Sequence, residues 1–255
     1  MCSEKGSLVE QDNKNTLGGN VDKSLRGETP LDLQACVKEG WQLSKRHFYS
    51  TLQGGLFTLG IMLAMLMLIG HFVSIDDLQN PSVSLSYGLN LLFTLVTTPL
   101  ITALMMMGIG HSVGVNVPFL SLVKRLATSA LLILSALMLG ALANLGLALY
   151  ILPGLYLAMS TGFALVLLVE KKYRPSQAII VSMRVFNRYW GPLSQFYIVS
   201  FILFVGGLFT FGIALIWIVP WYLHTKGVLY RTLFGVEVLG QPSSHSNNKD
   251  SVFYA

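Results

Sequence analysis

Charge is what this sequence has least of. Only 11% of its residues are Asp, Glu, Lys or Arg, against 53% hydrophobic, and the mean hydropathy is +0.61. Soluble domains carry about 25% charged residues, so water is not the main solvent of this chain. The scarcity is patterned: no charged side chain occurs from His47 to Ile75, Leu78 to Val123, Leu126 to Val169 or Tyr189 to Thr225. Cysteine is nearly missing too, and Cys2 and Cys36 both fall in segments assigned below to the reducing side, so no disulfide is expected. The first thirty residues hold no apolar run and are not read as a secretory signal. The net charge of +5 comes with no basic patch interleaved with aromatics on a soluble domain, which excludes nucleic acid as a partner.

What is present is apolar length. A bilayer-spanning helix needs about 20 apolar residues. The uncharged stretches predict spans near 51–73 and 85–110, two more folded back on each other within 127–169, and two near 192–209 and 211–234. Pro153 and Gly154 mark the expected turn between the third and fourth, and "GGLFTFG" at 206–212 marks a hairpin corner between the fifth and sixth. With six crossings, all 17 basic residues fall on one side and only Asp76 and Asp77 on the other. Because cytoplasmic flanks retain Lys and Arg, both termini are expected in the cytoplasm of a bacterial inner membrane.

Two membrane-flanking segments share a design. "TPLDLQACVKEGWQLSKRHFYS" and "RPSQAIIVSMRVFNRYWGPL" each open with a proline and run as amphipathic helices into an apolar span. Sliding one onto the other by 143 residues pairs Ala35 with Ala178, Leu43 with Phe186 and Lys45 with Arg188. A weaker third piece, "VPFLSLVKRLATS", precedes the third span. The expected fold is therefore all-α: a polytopic integral membrane protein of six transmembrane helices in three hairpins, each preceded by an amphipathic interfacial helix. Residues 1–30 read as a disordered cytoplasmic arm, 31–236 as the membrane domain and 237–255 as a disordered tail. This layout resembles the broad group of six-helix bacterial inner-membrane proteins that includes the YciC-like family. The residues that carry the resemblance are Pro153, Gly154, Tyr156, Glu170, Pro175, Ala178, Ser182, Pro220 and Tyr230. The resemblance implies an inner-membrane protein and carries no functional residue across.

Little in the chain points to chemistry. "GHSVG" at 110–114 fits a hydrolase pattern, but Ser112 sits at the end of a membrane helix with no acid in any span to complete a triad. An intramembrane serine hydrolase is thus disfavoured, and the chain is read as no enzyme. No two of His47, His71, His111, His224 and His245 lie three or four residues apart, so no helix presents a paired metal site, and no cofactor is implied. Lys226 and Arg231 are expected to snorkel to headgroups. The first reading is a protein acting through lipid and protein contacts in envelope maintenance, with Lys45, Arg46, Lys171, Lys172, Arg184 and Arg188 gripping anionic headgroups. The alternative is a small permease or lipid-handling transporter whose cavity lies between helices kinked by Pro99, Pro153 and Pro220, with Asn90 and Asn144 on a polar path. Membrane lipids and other membrane proteins are the expected partners, and the sequence fixes no oligomeric state.

Overall fold

The computed structural model describes residues 16–73, 82–127, 129–149 and 151–237. It is all-α apart from one short two-stranded ribbon. In chain order the elements are β1 (Thr16–Leu17), α1 (Val21–Arg26), α2 (Leu33–Arg46), α3 (Phe48–Phe72), α4 (Val83–Ser112), α5 (Phe119–Ala127) and α6 (Ala130–Leu149). They continue as α7 (Ile151–Ser160), α8 (Ala164–Glu170), α9 (Pro175–Arg188), α10 (Trp190–Phe209), α11 (Leu215–Phe234) and β2 (Val236–Glu237).

Among the described residues four helical stretches are long and apolar enough to cross a membrane: Phe48–Phe72, Val83–Ser112, Leu152–Glu170, which runs through α7 and α8, and Trp190–Phe209. A fifth appears if Phe119–Ala127 and Ala130–Leu142, bent by 82°, count as one broken span. The expected count of six is therefore four or five among the described residues. The sixth expected span, α11, drops out for a physical reason. Its second half carries His224, Thr225, Lys226 and Arg231, and from Pro220 onward it is largely buried by protein.

That buried half of α11 is the core of the molecule. It crosses α4 where two glycines meet: a Cβ on Gly227 would lie 2.6 Å from the Gly108 carbonyl carbon, and one on Gly108 the same distance from the Leu223 carbonyl oxygen. The two backbones touch, as small residues allow in membrane bundles. On its other side α11 receives α2. Gly40 faces Thr225, the Cys36 Sγ lies 3.9 Å from the Thr232 hydroxyl, and Arg231 pairs with Glu39 at 2.8 Å. The expected interfacial helix is thus packed along a neighbour, and its Cys36, Gly40 and Ser44 stripe is covered by protein.

Residues 16–30 also differ from expectation. β1 pairs with β2, the Ser24 hydroxyl donates to the Leu233 carbonyl, and Tyr189 bonds both the N–H and the carbonyl of Thr29. Polar composition suggested disorder, but the free end of α11 supplies the backbone partners that order this stretch. Residues 1–15 and 238–255, where the rest of the arm and nearly all of the tail fall, lie outside the described residues, as do Asp76 and Asp77.

Two turns can be compared with their expected positions. One described helix ends at Leu149 and the next begins at Ile151, so Pro153 sits not at a turn but in the first turn of α7, where a missing N–H costs nothing. Gly146 then faces Gly154 across the two helices. Between α10 and α11 the "GGLFTFG" corner is built by Phe211 at φ 52° and Gly212 at φ 83°. The Thr210 hydroxyl accepts from the Ala214 N–H and donates to the Gly207 carbonyl.

The repeated elbow has a different register. α2 and α9 are both 14 residues long, and each ends in one non-helical residue before a long apolar helix. His47 at φ −110°, ψ 24° and Tyr189 at φ −113°, ψ 33° are those residues, 142 positions apart. At that spacing the buried stripes coincide, Cys36 with Ala178, Gly40 with Ser182 and Ser44 with Phe186. The offset of 143 matched residues by type, whereas the structure aligns the covered positions of both helices.

Candidate functional site

The α4–α11 crossing places polar groups where a membrane bundle tolerates them least. His111, from the last turn of α4, and His224, from the middle of α11, are both essentially fully buried and meet with Nδ1 of the first 3.0 Å from Nε2 of the second. His47, at the elbow between α2 and α3, stacks on His111 with ring centroids 4.1 Å apart and an interplanar angle of 12°. Three imidazoles, two from helices and one from the elbow, thus form one column, with His47 and His224 6.3 Å apart.

The hydrogen bonds fix the tautomers. His224 Nδ1 lies 2.7 Å from the Pro220 carbonyl, an acceptor only, so this nitrogen carries the proton. In the neutral ring Nε2 is then a lone pair that accepts from His111 Nδ1–H. This leaves His111 Nε2 a bare acceptor, buried and without a partner. Thr97 and Thr102 on α4, Tyr197 on α10 and Thr225 on α11 also bury side-chain oxygens without partners among the described residues. A buried orphan of this kind costs about 1–3 kcal/mol.

In front of the column lies a polar recess of about 380 Å³, lined by Arg46, His47, Tyr49, Ser50, Asn116, Val117 and Pro118. Burial, and then the neighbouring Arg46 guanidinium, hold His47 below the ordinary imidazole value. Ring stacking presents no convergent set of lone pairs, and among the described residues no group of three or more His, Cys, Asp or Glu side chains can hold a metal ion.

Two further buried groups brace α11. Lys226 is not at the surface: its ammonium sits 5.5–5.7 Å from the ring centroids of Phe163, Tyr197 and Tyr222 and bonds the Tyr222 hydroxyl at 3.3 Å. Cation–π attraction in place of headgroup contact holds it there. Glu170, at the end of α8, accepts from the Tyr230 hydroxyl at 2.7 Å and from the Glu237 N–H at 3.0 Å, with Lys171 3.5 Å away. This clamp joins two residues that the sequence marked separately, Glu170 and Tyr230.

A second concavity, about 500 Å³, runs between α2 and α10. Its walls are Leu33, Val37, Trp41, Phe196, Val199 and Trp221, with Gln34, Lys38 and Gln195 supplying the polar positions. It continues onto the outer face of α10, where Ile198, Phe201 and Ile202 are exposed.

The residues nominated from sequence are scattered. Lys45, Arg46, Lys172 and Arg184 are exposed, Lys45 lying over the Trp41 ring. Lys171 is committed to Glu170 and Glu237, and Arg188 donates to the Arg26 carbonyl, so these two hold the fold together. Asn90 and Asn144 both lie on the outer surface of the chain. The Ser112 hydroxyl donates to the Ile109 carbonyl at 2.7 Å, at a helix end rather than on a strand-to-helix turn. The histidine column was missed because its members are separated by scores of residues; the hint available was His111 and His224 standing in helices that also carry Pro99 and Pro220. Comparison with family models, with curated proteins and with solved structures found no match.

Proposed function

We propose that this chain is a multi-pass protein of a bacterial inner membrane, both termini cytoplasmic, that works through contacts with lipid and with other membrane proteins in maintaining the envelope and catalyses no reaction. The observation that carries the reading is the groove between α2 and α10. Its walls are apolar and aromatic, a lysine and two glutamines stand among them, and it runs on into a face of exposed aliphatic and aromatic side chains. That combination suits an amphiphile with an anionic head and an acyl tail, and each basic contact near an anionic leaflet is worth about 1 kcal/mol. Exposed Lys45, Arg46, Lys172 and Arg184 add to the same attraction.

Purification in mild detergent followed by mass spectrometry tests the reading. Anionic phospholipid is expected to accompany the wild-type chain and to be depleted in Lys38→Glu. A chain that emerges free of lipid, or retains it equally after charge reversal, overturns the lipid part. A reporter fused after Ala255 that reads as periplasmic overturns the orientation.

A permease is the second reading, favoured by His111, His224 and Lys226 buried on the α4–α11 seam. Against it, the space beside Lys226 is about 0 Å³, with no room for a water-sized molecule let alone the roughly 300–1,000 Å³ of ligand sites, and the two helices touch at Gly108 and Gly227.

A further inference from the structure

We propose that the recess lined by Arg46, His47, Ser50 and Asn116 is a phosphate-binding site, taking the phosphate of a lipid headgroup or free inorganic phosphate. If the phosphate belongs to a lipid, the proposal rests on the lipid-contact reading above; if it is free, it stands apart from that reading.

Four features converge. The polar lining is a guanidinium, an imidazole, a hydroxyl, a phenol and an amide, with no carboxylate among them. Arg46 has no carboxylate partner among the described residues. Its planar fork matches two phosphate oxygens at once, the geometry for which arginine is favoured. The recess stands at the foot of α3, the first apolar helix, at the level where a phosphate would meet the end of a membrane span. Finally, its volume of about 380 Å³ exceeds a bare phosphate and leaves room for a glycerol backbone.

The column behind the recess adds proton linkage. His47 faces Arg46 and Tyr49 from its own segment, His111 from α4 and His224 from α11, so none of the groups against it is an acid. Without an anion, a proton on His47 would stand beside a guanidinium and two imidazoles. A bound phosphate supplies the missing countercharge, and binding therefore draws a proton from the buffer onto His47. The His111–His224 bond, anchored on the Pro220 carbonyl, fixes the ring on which His47 rests.

The test uses the full chain in phosphate-free maltoside micelles with three probes: inorganic phosphate, sulfate and dihexanoyl phosphatidic acid. Sulfate is included because its charge does not change over the range used, so any pH dependence belongs to the protein. Saturable binding of phosphate and sulfate is expected, weakened roughly tenfold by Arg46→Gln and also weakened by Asn116→Ala. Between about pH 7.5 and about pH 6, sulfate binding should tighten in the wild type and stay flat in His47→Gln. Phosphatidic acid binding much tighter than phosphate assigns the site to a lipid headgroup; equal binding assigns it to free phosphate. No saturable binding of any probe, or binding indifferent to Arg46→Gln, overturns the proposal. A chain that retains lipid on purification but binds no probe sinks the recess and spares the groove; one that binds the probes but retains no lipid does the reverse.

Discussion

The elbow at His47 and the elbow at Tyr189 have the same backbone and different uses. Each joins a 14-residue helix to a long apolar one through a single residue with nearly the same φ and ψ. Each turns a stripe of every fourth residue inward. At Tyr189 the side chain is fully engaged, its hydroxyl bonded to both backbone groups of Thr29, and Ser182 on the same stripe ties the Ser160 carbonyl to the Phe163 N–H. At His47 the side chain stacks on a ring that has a bare, buried nitrogen, and the stripe works by close contact, Gly40 against Thr225, with a long sulfur–hydroxyl contact from Cys36 to Thr232. One copy of the elbow closes the structure, and the other leaves a polar recess open beside it.

The largest way to break this contrast is Gly40→Val. A Cβ at Gly40 would lie 2.2 Å from the Thr225 Oγ1 and 2.7 Å from its Cα, so the backbone itself must move. Overpacking of this kind costs typically about 1–3 kcal/mol and more where backbone is struck, so a steep loss of thermal stability in detergent is expected. The matching change in the other elbow, Ser182→Ala, removes two hydrogen bonds without a clash and should cost about 1–2 kcal/mol. If Ser182→Ala proves the more damaging, the two stripes do not differ as described.

A smaller pair sharpens the contrast at the elbow residues themselves. Tyr189→Phe keeps the ring and loses both bonds to Thr29, at about 1 kcal/mol each. It should release the stretch around α1 to trypsin at Lys23 or Arg26. His47→Phe keeps the stack on His111 and should leave trypsin resistance unchanged while abolishing the proton-linked part of anion binding. Equal trypsin sensitivity in the two variants would mean that both elbows are clamps.

Most helices were legible from the sequence because charge deserts mark them, although Pro153, expected at a turn, lies in the first turn of α7. Which side of each helix faces inward was not. In water, apolarity points to the core; in lipid the outside is as apolar as the inside, and the signal is lost. α3 shows this directly: Thr51, Gly54 and Thr58 are buried while Leu56, Phe57, Leu59 and Leu63 face out. On α9 Ile180 is exposed, while the smaller Ala178 and Ser182 are covered. Small and hydroxyl residues at helical spacing were the better guide, and reading them would have given the offset of 142. The candidate site was hidden for another reason: its members meet through the α4–α11 crossing, a tertiary contact that no local spacing encodes.

The smallest effect concerns pH and carries the most specific sign. His47 is held below the usual imidazole value first by burial and then by Arg46, so the folded chain resists its protonation more than the unfolded chain does. Above about pH 6.5 both states leave this ring neutral, and its contribution to stability is fully present. As pH falls below that value the unfolded state takes up the proton first, and stability is lost progressively until the lower folded value is passed. Measured as the difference between wild type and His47→Gln in anion-free buffer, thermal stability should therefore decline toward acid. Arg46→Gln removes the second cause and should make the decline shallower without abolishing it, because burial remains. Saturating sulfate should flatten it as well, by giving the imidazolium a partner in the folded state. A wild type that gains stability over His47→Gln on acidification without an anion would mean that the ring already has an acidic partner in the fold, and the recess would then have no need of phosphate.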